Sequence, residues 1–180
     1  MSGCGKSTVA KKLAEKYGLR YLSGGGALKA LAIKGGYQPY ERGWWETEEG
    51  RRFLEQRMED EQFDRMVDEE LLKEAKQGNV ILDSWTMPWL LERGFKIWLE
   101  ASSDVRARRI AKRDDISIEK ALNALSEKDE KTRRIYKSLY GFNLGEDFSP
   151  FNLILDTDEL SVEEVFQTLC MVIDRLLIKN

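Results

Sequence analysis

The sequence predicts an α/β domain of three layers around a parallel sheet, on three observations. Short apolar runs, NVILD (79–83), FKIWLE (95–100) and NLILD (152–156), each end in an acid. Both faces of such runs are apolar, as in strands buried within a parallel sheet. Longer stretches with apolar residues at helical spacing separate them. The chain opens on MSGCGKST, a glycine-rich turn that leads into one of those helices. Strands alternating with helices specify layered packing, with helices covering the sheet.

The elements follow in order. Residues 7–17 form a helix whose Val9, Ala10, Leu13, Ala14 and Tyr17 share a face, with Gly18 as its stop. LRYLS (19–23) is a short strand, followed by Gly24, Gly25 and Gly26 and a helix over ALKALAIK that ends at Gly35-Gly36. Residues 37–50 carry turn residues and aromatics without a period and read as a loop with a short helical turn. Residues 51–77 read as one long helix or two in sequence, with Phe63, Met66, Val67 and Leu71 at helical spacing. Strands follow over 79–84, 95–101 and 152–157. Between the last two lie a basic helix (104–113) and a longer helical stretch (117–140). Ser161 and Glu164 form a capping box for the last helix, 162–178.

A chain of 180 residues forms one domain, 1–180, whose core needs no disulfide or metal staple. Its net charge of -3 argues against bulk nucleic-acid binding, and no apolar run reaches the roughly 18 residues that span a membrane. Two cysteines, Cys4 and Cys170, make no disulfide framework; with no signal peptide they point to the cytoplasm. The chain has no histidine, which removes Ser-His nucleophilic chemistry and histidine zinc sites.

The opening turn carries the strongest chemical signal. GCGKS completes the end of the phosphate-loop pattern G-x-x-x-x-G-K-[ST] immediately before a helix. Gly3 and Gly5 let the backbone N–H groups of Ser2–Thr8 (Ser2, Gly3, Cys4, Gly5, Lys6, Ser7 and Thr8) turn toward the phosphates of ATP, and the helix dipole favours the charge. Lys6 reaches the β- and γ-phosphates and the Ser7 hydroxyl binds Mg2+. The fold class is therefore a P-loop NTPase fold. The pattern's first glycine would stand just before Met1, and the strand that should precede the loop is missing from the chain as written. The expectation is that Met1 is an internal methionine of a longer chain; the alternative is a genuine short form.

Asp83 ends its strand on the ligand-bearing edge of a parallel sheet, where it would hold Mg2+ directly or through water, or else cap the next helix. Asp156 has the same form and reads as a plain strand-end acid. Arg106, Arg109 and Arg113 fall at i, i+3 and i+7 as one stripe, either a solvated face or a lid over the migrating phosphoryl group. Beside a phosphate loop the lid reading is preferred, with Arg133 and Arg134 following in the next helix. Asp64 and Asp68 share a helix face at i and i+4 and either read a base or sugar or form a solvated face. Trp44 and Trp45 either stack on an acceptor ring or pack the loop.

The chain resembles the archaeal-type cytidylate kinases of the nucleoside monophosphate kinase superfamily. The resemblance rests on GKSTVAKKLAEKYGLRYLSGG, AKQGNVILD, FKIWLEASSDVRARRIAKRDDIS and IYKSLYGFNL. It implies a mobile monophosphate-binding region over about 24–78, a lid and post-lid helix over about 104–134, and transfer of the ATP γ-phosphoryl group to CMP or dCMP. The acceptor site is expected to hold Ser23, Gly24, Lys29, Asp64, Asp68, Arg133 and Arg134, in a monomer or weak homodimer. The sequence departs from the family at three positions. Lys29 and Lys128 stand where arginines are usual, and Asp83-Ser84-Trp85 replaces Glu-Gly-Arg. Lysine keeps the charge but loses the bidentate fork. Two competing readings are a kinase of another small acceptor, such as a nucleoside, and a nucleotide-binding module without catalysis.

Overall fold

The computed structural model describes residues 1–39 and 43–178; residues 40–42 of the expected 37–50 loop lie outside the described residues. Helix α1 (Lys6–Tyr17) is followed by β1 (Arg20–Ser23) and α2 (Gly24–Lys34). A 3-10 turn, Trp44–Glu46, precedes α3 (Glu48–Glu59) and α4 (Gln62–Ala75). Strand β2 (Val80–Asp83), the short α5 (Met87–Leu90) and β3 (Ile97–Glu100) come next. Helices α6 (Ser103–Asp114) and α7 (Ile118–Tyr140), β4 (Leu153–Asp156) and α8 (Val162–Ile178) complete the order.

The region 51–77 resolves into two helices because Asp60 leaves the helical region, at φ -127° and ψ 96°, and its carboxylate accepts the Gln62 N–H at 3.0 Å. Side-chain caps start α2, α3, α6, α7 and α8. The Thr47 hydroxyl accepts the Gly50 N–H at 3.1 Å and donates to the Trp44 carbonyl at 2.6 Å. A Cβ on Gly50 would lie 2.1 Å from that carbonyl, so this junction admits glycine alone. The Ser161–Glu164 capping box forms as expected, with N–H to side-chain distances of 2.8 and 3.2 Å. Helix α5 was not foreseen; Pro88 in its first turn donates no N–H and suits a helix start.

The strands pair in parallel, β1 with β2 in register from Arg20–Val80 to Ser23–Asp83, and β3 with β4 from Ile97–Leu153 to Glu100–Asp156. Alternation sends side chains to opposite faces. Ile81 joins Val9 and Leu13 of α1, while Leu82 joins Leu71 of α4 and Leu28 of α2. Likewise Leu99 packs with Leu169 of α8, and Trp98 packs with Ile135 and Leu139 of α7. Both thiols are free and buried. No described helix is long and apolar enough to cross a membrane.

Candidate active site

The C-terminal ends of β1 and β2, the start of α1, and inward faces of α2, α4, α6 and α7 line a cleft of about 860 Å3. One side is the glycine turn. Gly3 and Gly5 adopt φ of 80° and 84°, the left-handed region where a side chain is strained. A Cβ on Gly3 would also lie 3.0 Å from the Arg106 carbonyl. All of Ser2–Thr8 line the cleft, and Lys6 and Ser7 begin α1.

Asp83 is the hub of this side. Its buried carboxylate pairs with the Lys6 ammonium and accepts the Ser7 hydroxyl at 2.5 Å and the Tyr21 hydroxyl at 2.8 Å. Burial pushes the carboxyl up, but the Lys6 charge and these three donors hold it below its ordinary value. The same burial, with Asp83 alongside, pushes Tyr21 up to about 12. Asp83 therefore gathers the loop side chains and does not cap the following helix. Asp156 is exposed and accepts the Asp158 N–H at 2.9 Å, the plain role expected of it.

Across the cleft, Asp64 and Asp68 face inward, not to solvent. Arg57 grips Asp64 bidentately, Nε to Oδ2 at 2.9 Å and Nη2 to Oδ1 at 2.6 Å, with both residues 3% exposed. Asp68 accepts the Thr86 hydroxyl at 2.5 Å and the Tyr140 hydroxyl at 2.8 Å. Burial raises the Asp68 carboxyl to about 6, against those two donors. Ser23 caps α2 through the Gly26 N–H at 3.2 Å, and with Gly24 it lines the same wall. Lys29 and Lys128 also line it, their ammoniums 5.9 Å from the Trp44 ring centre and 4.7 Å from that of Trp45. Burial lowers both, Lys128 to about 8. Trp44 is fully buried with Phe53 and packs the fold, whereas the half-buried Trp45 reaches the cleft.

The arginines divide. Arg109 lines the cleft and is held by the Thr157 hydroxyl at 3.0 Å and the Thr157 and Leu160 carbonyls. Arg113 lines it beside Glu46, at 3.5 Å, and pairs with Asp114. Arg106 is outside the cleft lining, buried at 5% exposure. Its Nε donates to the Ser2 carbonyl at 2.6 Å, and Nη2 lies 2.8 Å from Asp129 of α7. Arg133 and Arg134 are exposed and away from the cleft, the first bound to the Leu144 carbonyl at 3.2 Å and the second to Glu130. Their positions fall outside the α7 face of Lys128, Thr132 and Tyr136 that lines the cleft.

Arg57, Thr86 and Tyr140 were not foreseen. For Arg57 a signal existed: Gly50, Phe53, Leu54 and Arg57 stand at i, i+3, i+4 and i+7, the buried face of α3.

An α/β chain with a lysine-bearing glycine turn facing cations and buried carboxylates across one cleft has the parts of a phosphotransferase. The model of the cytidylate kinase-like family matches residues 1–159. A cytidylate kinase of Pyrococcus horikoshii is 34% identical over 177 residues, covering 98% of this chain and 86% of that protein. Those of Methanocaldococcus jannaschii and Sulfurisphaera tokodaii are also 34% identical, covering 98% and 99% of this chain and 95% and 94% of theirs. The chain belongs to the cytidylate kinase-like family. A solved structure, of an uncharacterized protein from Eubacterium ventriosum, shares the fold at TM-score 0.62 and 17% identity, over 96% of this chain and 92% of that one.

Proposed function

We propose that the protein transfers the γ-phosphoryl group of ATP to CMP or dCMP, giving ADP and CDP or dCDP. One observation carries this reading: the Lys6–Ser7–Asp83 cluster opens onto the same cleft as Lys29, Lys128, Asp64 and Asp68. An acceptor phosphate oxygen attacks the γ-phosphorus and the β–γ bridging oxygen leaves with ADP. The acceptor is already an anion, so no general base is needed, which suits a chain without histidine.

In this reading the backbone of Ser2–Thr8 cradles the ATP phosphates, and Lys6 exchanges Asp83 for phosphate oxygens. Ser7 and Asp83 would hold Mg2+. One carboxylate and one hydroxyl suit an ion that keeps its waters and takes most other ligands from phosphates. No cluster of three acids or thiols exists among the described residues to compete for it. When bound, the ion neutralises charge on the phosphate oxygens. Arg109 and Arg113 serve the lid, and Arg106 positions the phosphate loop through Ser2 and makes no contact with the substrate. On the acceptor side Lys29 and Lys128 meet the phosphate, while Asp68, with Ser23 and Gly24 in the same wall, faces the base and sugar. Arg133 and Arg134 have no part in it.

The two strand pairs are read as parts of one parallel sheet in a three-layer P-loop fold. The shared apolar cluster of Ile81, Leu99 and Leu13 supports this. The same reading makes the protein a cytoplasmic monomer or weak homodimer whose partner is the small nucleotide. Coupled ADP release across CMP, dCMP, UMP and cytidine tests the activity. CMP or dCMP should turn over, and Lys6→Ala should lose about 100- to 1,000-fold in kcat. If these monophosphates are inert while another acceptor turns over, the reading fails.

A further inference from the structure

Glu46 is a buried carboxylate that its surroundings hold only loosely. It is 8% exposed, and Arg113 is its ion-pair partner among the described residues, Nη2 to Oε2 at 3.5 Å. A charge-assisted hydrogen bond is shorter, about 2.7–2.9 Å. Lys29 and Lys128 line the cleft beside it, and its charge opposes the burial that lowers both. Neither lysine makes an ion pair among the described residues; each lies over a tryptophan ring. Three cations from three helices, α2, α6 and α7, thus line the cleft with the weakly bound Glu46, and of the three only Arg113 has a second carboxylate partner, Asp114, among the described residues. One turn from Lys128, the buried Thr132 hydroxyl lines the same cleft with no hydrogen-bond partner. A buried polar group of this kind is satisfied by an ordered water or by a ligand atom. A phosphate dianion carries more charge and more acceptor oxygens than a carboxylate and suits this cradle better.

We propose that Glu46 is an intrachain anion occupying the cradle of the acceptor's phosphate, displaced when the acceptor binds. Glu46 then sets acceptor affinity, while Arg113 stays paired with Asp114. Trp44, fully buried, anchors the turn, so the exchange is a rotation of the Glu46 side chain. The inference rests on the proposed nucleotide acceptor for its ligand, but the cradle itself is testable with inorganic phosphate.

Calorimetric titration of CMP, cytidine and inorganic phosphate into wild type, Glu46→Gln and Glu46→Ala tests the idea, with folding checked by circular dichroism. Glu48→Gln is the control, since that exposed carboxylate pairs with Arg52 outside the cleft. Glu46→Gln should bind CMP and phosphate about three- to tenfold tighter than wild type and leave cytidine unchanged. Equal or weaker phosphate and CMP binding in both Glu46 variants overturns the proposal. Failure of the kinase reading is seen separately, as absence of CDP from wild type with ATP and CMP. In that event the phosphate titration still supports or refutes the cradle.

Discussion

Asp64→Asn keeps the shape of the side chain and removes the charge that neutralises Arg57. Both residues are 3% exposed and joined by two hydrogen bonds of 2.9 and 2.6 Å, so the variant leaves a guanidinium buried without its counter-ion. Breaking one partner of such a pair costs about 3–5 kcal/mol. At about 2–4 °C per kcal/mol for a domain of this length, Tm should fall by about 6–20 °C. The double variant Arg57→Met/Asp64→Leu removes both charges and keeps the volume. It should recover most of the loss, because a buried pair and an apolar replacement often differ by only about 1–4 kcal/mol, in favour of the latter. Thermal melts followed by circular dichroism at pH 7, without ligand, decide it. A loss in Asp64→Asn of under about 3 °C, or a double variant less stable than the single, refutes the reasoning.

Three further outcomes follow from the cleft. Asp68 titrates near 6 in the fold against 3.8 ordinarily, so the folded state holds its proton more tightly. Its contribution to stability is present below about pH 4 and lost as pH rises through about 6, a change of about 2–3 kcal/mol that Asp68→Asn should abolish in melts at pH 4 and 7.5. Arg106→Ala frees the Ser2 carbonyl and strands Asp129, so it should lower Tm by several degrees and weaken ATP binding; unchanged melts and ATP affinity would remove its positioning role. Arg133→Ala and Arg134→Ala should leave the acceptor KM within about twofold of wild type, since exposed pairs contribute little; a large rise in KM would return them to the site.

The glycine turn at the start of α1 was legible because its pattern is local: two left-handed glycines, a lysine and a serine in five residues line one cleft together. The strand ends were legible for a similar reason, since an apolar run closing on an acid places Asp83 at the sheet edge without knowledge of its neighbours. The acceptor side depends on distant segments. Arg57 looks like one more charge in the run EGRRFLEQRME, and only the phase set by Phe53 and Leu54 turns it inward. Arg133 and Arg134 look like candidates by charge, and the phase of α7 turns them out. Thr86 and Tyr140 reach Asp68 across 18 and 72 residues, a relation no local pattern carries.

The α6–α7 hairpin has an apolar seam of its own, Ala107, Ile110 and Ala111 against Ala121 and Leu125. That seam joins α6 to the first half of α7. Arg106 ties this hairpin to the glycine turn, its Nε on the Ser2 carbonyl and its Nη2 beside Asp129 of α7. Arg113 rides further out on the same arm. In the proposed phosphotransfer, Arg106 thus links the turn beneath the phosphates to the helix that carries Arg113.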